Sequence, residues 1–199
     1  MKKKYLFLFL FGLAVTIAKA QTTDTVLMNR MGDFDMATLN SDPYAALLTG
    51  EKILPDTAKL EPKIRVNFFA KLAKAYDDVD QDAIATIYYE KVAAAAPDYF
   101  VAQRALGYIY NDRAEEIQVK LHTAPKGSPA YNQLLEGYKK AVRKALPYLE
   151  KAQACDPDDD TLDLIRTLYM NIHDEQGLSS LSNRLPELAK KCVDLLDDK

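Results

Sequence analysis

Apolar and small residues recur through the middle of the chain at helical intervals. Phe69, Leu72, Ala73 and Tyr76 fall three, one and three positions apart, which places them on one face of a helix. Gln103, Leu106, Gly107 and Tyr110 repeat those intervals 34 residues later. Ala85, Tyr89, Val92 and Pro97 follow the first set, and Ala145, Leu149, Ala152 and Pro157 have the same spacing. Each set predicts a pair of amphipathic helices closed by a proline, which stops one pair and orients the next. A weaker third pair reads Leu162, Ile165, Tyr169, then Leu178, Leu181, Leu185.

The second pair is interrupted. Ala73 to Ala85 is 12 residues, whereas Gly107 to Ala145 is 38, an insertion of 26. The insertion keeps helical periodicity. Tyr110, Ala114, Ile117 and Leu121 prolong the first helix, Pro125 and Gly127 mark a turn, and Ser128-Pro129 suits a capped start. Tyr131, Leu134, Leu135, Tyr138 and Val142 then return. Two lengthened antiparallel helices are expected, reaching roughly 20 Å past the ordinary pair at 1.5 Å per residue. Pro147 is expected to kink the returning helix and Pro186 to break the last one.

The spacing resembles the tetratricopeptide repeat, W-x2-L-G-x2-Y, then A-x3-F, then P. Phe69 stands for Trp, Ala73 for Gly and Tyr89 for Phe. The stretch Ala145 to Tyr169 also resembles secreted repeat proteins of Gram-negative bacteria. The resemblance implies an all-α, right-handed solenoid of about three helix pairs, with repeats near 66–99, 100–159 and 159–195 and an extended arm inserted at 112–140. Each pair has an apolar face that only a neighbour buries, and small residues sit where helices approach most closely. The repeat domain is taken as 42–199. At its start Asp42-Pro43 reads as a cap and first turn, with a lone helix Tyr44–Leu54 covering the first repeat. Residues 21–41 lack sustained periodicity and are expected to be a flexible leader. The stretch from Lys190 to Lys199 is a polar finish.

Residues 1–20 read as an address. Lys2, Lys3 and Lys4 precede thirteen uncharged residues, Tyr5 to Ile17, and Ala18-Lys19-Ala20 gives the small–x–small cleavage order of a signal peptide. That run is shorter than the roughly 20 residues a spanning helix needs. Export is expected, to the periplasm of a Gram-negative bacterium or beyond, with no membrane insertion after cleavage. Loss of Lys2, Lys3, Lys4 and Lys19 moves the net charge from −3 to −7. An acidic exported protein makes a poor nucleic-acid ligand.

Candidate chemistry is sparse. Asp156, Asp158, Asp159 and Asp160 lack the glycine and distal glutamate of a calcium loop, and a solvated helix cap explains them. His122 and His173 fall near turns with no nucleophile motif beside them. Lys139, Lys140, Arg143 and Lys144 sit among glutamates as a solvated face. Cys155 and Cys192 fall near the ends of second helices in adjacent repeats. Helix axes pack about 8–10 Å apart, while bridged Cα atoms lie within about 7 Å, which favours two packing thiols over a bridge. No metal site, cofactor or catalytic constellation is expected. The resemblance implies a non-catalytic scaffold that binds a protein or peptide along the concave face of its first helices. There Asn67, Lys74, Arg104, Tyr108 and Asn111 lie off the packing stripe and suit a peptide backbone or a carboxylate. The alternative is a self-associating structural subunit, a homo-oligomer, that uses the long arm.

Overall fold

The computed structural model describes residues 25–193. The expected signal peptide and residues 194–199 of the polar finish lie outside that span. Among the described residues the chain is helix and turn, with one isolated parallel bridge between Tyr99 and Val193. The helices are α1 (25–39), α2 (Pro43–Gly50), a 3-10 turn (Leu54–Lys59), α3 (Pro62–Asp77), α4 (Asp82–Ala95), α5 (Phe100–Thr123), α6 (Pro129–Cys155), α7 (Asp159–Asn171) and α8 (Glu175–Leu188). The all-α class is as expected.

Local signals start these helices. The Asp42 carboxylate accepts from Ala45 N–H at 3.0 Å, Ser128 Oγ from Tyr131 N–H at 3.1 Å, and Asp158 from Thr161 N–H at 2.9 Å. Each satisfies a donor that the first helical turn leaves without a backbone partner. Pro43, Pro62 and Pro129 occupy first-turn positions where a missing N–H costs nothing.

Packing runs mainly from each helix to the next: α3 on α4, α4 on α5, α5 on α6, α6 on α7, and α8 on both α6 and α7. The 34-residue stripe is the core. Leu72, Ala73, Ala85, Val92, Leu106, Ala145, Leu149 and Ala152 are fully enclosed. Gly107 marks the closest approach of α5 and α6, since a Cβ there would stand 2.6 Å from Leu149 Cδ2. One aromatic differs from the expected stripe. Phe68 is the fully buried ring, 5.0 Å from Phe34, while Phe69 is half-buried and stacks on Tyr88 at 5.6 Å.

The insertion forms two long antiparallel helices joined by a turn at 124–128, as its periodicity predicts. Four expectations need correction. Residues 25–39 of the supposed flexible leader are α1. Leu27, Met31, Phe34 and Ala37 lie on one face of it and are buried, and Gly50 lets α2 close on Phe34 and Leu72. The helix after Asp42 is therefore not alone, and it stops at Gly50. Pro186 does not break α8, which runs on to Leu188. Only the carbonyl one turn back loses its donor, and Ser182 there is exposed to water. Lastly, Cys155 and Cys192 are joined, with Cα atoms 5.4 Å apart. The axial-spacing estimate failed because Cys192 is off the helix: α8 ends at Leu188, and the turn after it carries residue 192 back onto the end of α6.

Candidate functional site

A cavity of about 440 Å³ opens between the end of α1, the start of α2, the second half of α3 and the start of α5. Small residues on α3 make the space: Ala70 and Ala75 occupy positions where larger side chains would fill it. Leu39, Tyr89, Tyr99 and Val101 add apolar walls. Leu39 and Val101 are exposed, whereas Tyr89 and Tyr99 are buried beneath them.

Charge gathers on its rim. Lys71 crosses to Asp35 of α1 at 2.8 Å, and Lys74 pairs with Asp78 one turn on. Both ammonium groups belong to partly or largely exposed side chains. The Tyr89 hydroxyl donates to Asp77 at 3.3 Å. Burial, reinforced by Asp77, pushes that phenol well above its usual range, so Tyr89 stays a neutral donor. Burial also raises the Asp77 carboxyl. The cavity thus offers an apolar floor, with the ion-paired Lys71 and Lys74 at its lip beside Asp42 and Asp78.

The five residues expected to bind are scattered by the structure. Lys74 lines the cavity. Arg104 is engaged within the fold, donating to the Asp156 carboxylate at 2.7 Å and to the Asp156 carbonyl at 2.6 Å, where it fastens the end of α6. Tyr108 shares a hydrogen bond with Thr161 of α7 at 2.9 Å. Asn111 is buried and donates to Glu115 at 2.7 Å, while its own side-chain oxygen has no partner. Asn67 is half-buried, also with an unpartnered side-chain oxygen. Arg104 and Tyr108 therefore tie α5 to the end of α6 and to α7, while Asn111 is bonded within α5.

Two further polar centres hold the far end. Glu150 is buried and meets Arg184 through two nitrogens at 2.6 and 2.9 Å, with the Tyr169 hydroxyl also donating to it. Lys151, buried on α6, donates to Asp98 at 2.8 Å and to the carbonyls of Leu188 and Lys191 at 3.0 and 2.6 Å. It satisfies the open end of α8 and ties it to the linker between α4 and α5. A second cavity, of about 470 Å³, lies between α3 and the end of α4, with Lys63, Arg65 and Lys91 around Val66, Phe69 and Ala95. Lys91 stands over the rings of Phe69 and Tyr88 at 5.1 and 5.2 Å.

Of the groove-lining residues, Ala70 and Val101 lie off the packing stripe of the first helices, as Lys74 does, whereas Lys71 and Leu39 escaped the sequence-based choice of binding residues. Leu39 and Tyr99 carry no signal of their own, because the cavity exists only once α1 is recognised as a helix. Compared with protein-family models, curated proteins and solved structures, the chain matches none of them.

Proposed function

We propose that the chain is a non-catalytic binding module of the cell envelope, a tetratricopeptide-like right-handed solenoid that takes a peptide or protein segment in the groove between α1, α3 and α5. In this reading α1, α3, α5 and α7 are the first helices of four pairs, and their shared side is concave. The carrying observation is the groove: about 440 Å³, floored by alanines and tyrosines and rimmed by the ion-paired Lys71 and Lys74 together with Asp42 and Asp78. It suits a short extended or helical segment with one or two apolar side chains and a nearby carboxylate. Export accounts for the Cys155–Cys192 bridge, since such bonds persist outside the reducing cytoplasm. The signal-like residues 1–20 support the same compartment.

The test is a displayed-peptide selection on the wild-type chain and on Val101→Arg, which drives a long cation across the groove mouth. Wild type is expected to enrich sequences that combine apolar residues with Asp or Glu. Those peptides should bind Val101→Arg at least about tenfold more weakly, the loss of roughly 1.4 kcal/mol. Equal binding to both chains refutes the groove as the site.

A further inference from the structure

The second cavity, about 470 Å³ between the start of α3 and the end of α4, differs from the groove in its charge. Its wall carries Lys63, Arg65 and Lys91 and no acid, on a chain whose net charge is −3. In the groove, Lys71 and Lys74 are already paired with aspartates. Here no carboxylate of the described residues pairs with Arg65 or Lys91. The acids next to them in sequence do not supply one. Glu61, at the cap position of α3, is not on the cavity wall, and Glu90 is bonded to Tyr110 and Lys144. Lys91 instead stands 5.1 and 5.2 Å from the rings of Phe69 and Tyr88, which stack on each other at 5.6 Å. The rings attract the ammonium without neutralising it. Phe69 has its explanation in the same place. Phe68 takes the core position, and the half-buried Phe69 joins Val66 and Ala95 as the apolar part of the cavity wall.

We propose that this cavity binds a small free carboxylate carried on an apolar body. Arg65 presents a planar fork that matches two carboxylate oxygens, and Lys91 adds a point charge. The body lies against Phe69, Val66 and Ala95. A volume of this size, walled by eight residues from two helix ends, suits a compact molecule rather than a running peptide. Both parts of the ligand are required. A bare anion leaves the apolar wall in water, and an uncharged body leaves two cations without a counter-charge. The cavity shares no lining residue with the groove, so this site stands whether or not the groove takes a peptide.

Titration of the full chain with hydrocinnamate, octanoate and indole-acetate, followed by calorimetry or protein-observed NMR, tests the site. At least one of the three is expected to bind saturably, and at least about tenfold more tightly than acetate or its own uncharged amide. Failure of all three, equal binding of the amide, or tighter binding of phenyl phosphate overturns the proposal. Arg65→Gln and Lys91→Gln are each expected to weaken the bound carboxylate about tenfold, with the helical signal kept. Arg143→Gln removes an exposed cation outside the cavity and should change nothing. Equal losses in all three variants would mean attraction by general charge and would overturn the site. Ala95→Phe fills the cavity from α4 and keeps every cation, so it too should abolish binding. Unaltered binding to Ala95→Phe overturns the placement. Val101→Arg, which obstructs the groove, should bind the carboxylate as wild type does. A loss there places the probe in the groove and overturns the second site, while the displayed-peptide selection decides the groove by itself.

Discussion

Glu150 shows what a single enclosed charge demands of its neighbours. Its side chain is 7% exposed, and Arg184 meets it in a two-pronged contact that also holds the Tyr169 hydroxyl. Removing one partner of such a pair strands the other without water, at a cost of about 3 kcal/mol, whereas losing one neutral donor costs nearer 1. Arg184→Met is therefore expected to lower the urea midpoint far more than Tyr169→Phe. Gly107 sets a steric limit of a similar size. A methyl group there meets Leu149 at 2.6 Å, with the Leu149 backbone nitrogen behind it at 3.1 Å. Gly107→Ala should cost roughly 1–3 kcal/mol in chemical denaturation, because backbone cannot yield as a side chain does. Glu90 carries a pH dependence. The hydrogen bond from Tyr110, then the hydrogen bond and the charge of Lys144, hold its carboxyl below the usual range against the opposing effect of burial. The folded state then binds the proton less well than the unfolded chain. Glu90 contributes stability above the ordinary glutamate value, and this is lost as pH falls through the depressed one. Glu90→Gln is expected to flatten the fall in melting temperature between about pH 5 and 3. At this scale the packing residues were legible, since Leu72, Gly107 and Leu149 follow from spacing alone. Arg104, Tyr108 and Asn111 were not. Their partners Asp156, Thr161 and Glu115 lie 52, 53 and 4 residues away, and the first two distances depend on how α5 meets its neighbours.

Helices α5 and α6 were legible because the insertion keeps a helical period across both arms and the turn residues interrupt it cleanly. Helix α1 was missed although Leu27, Met31, Phe34 and Ala37 have the spacing of a buried face. The polar residues around them, with Gly32 among them, dilute the signal until Phe68 and Gly50 supply the surface it packs on. The disulfide was missed for a geometric reason: the spacing of helix axes constrains residues on helices, and Cys192 lies beyond one. That bridge closes a 37-residue separation. In the chain-entropy account a loop of this size is worth about 4 kcal/mol, and 2–4 is typical of measured bridges. Reduction of the wild type, or Cys192→Ser, is expected to lower the unfolding free energy by that order. Hydrogen exchange should then rise first in α8, the helix the bridge and Lys151 hold in place. Uniform loosening of all helices would count against this division of labour.

The whole molecule is a succession of helices in which charged and hydroxyl side chains cross from one element to the next. Asp35–Lys71 ties α1 to α3, and Tyr108–Thr161 ties α5 to α7. At the step from α3 to α5 there is a groove. The long arm presents little apolar surface by comparison, with Val119 its large exposed apolar residue among the described positions of 112–140. A group of exposed apolar residues lies instead on α1 and α2, at Met36, Leu39, Tyr44 and Leu48, with Leu39 already at the groove edge. This places the proposed binding surface near the α1 end and away from the arm. Hydrogen exchange on the chain saturated with a selected peptide, read by mass spectrometry at segment resolution, tests that most directly. The account predicts new protection confined to 37–46, 70–78 and 99–104, with 112–140 unchanged. Protection concentrated in 112–140, with the groove segments exchanging as in the free chain, would contradict it.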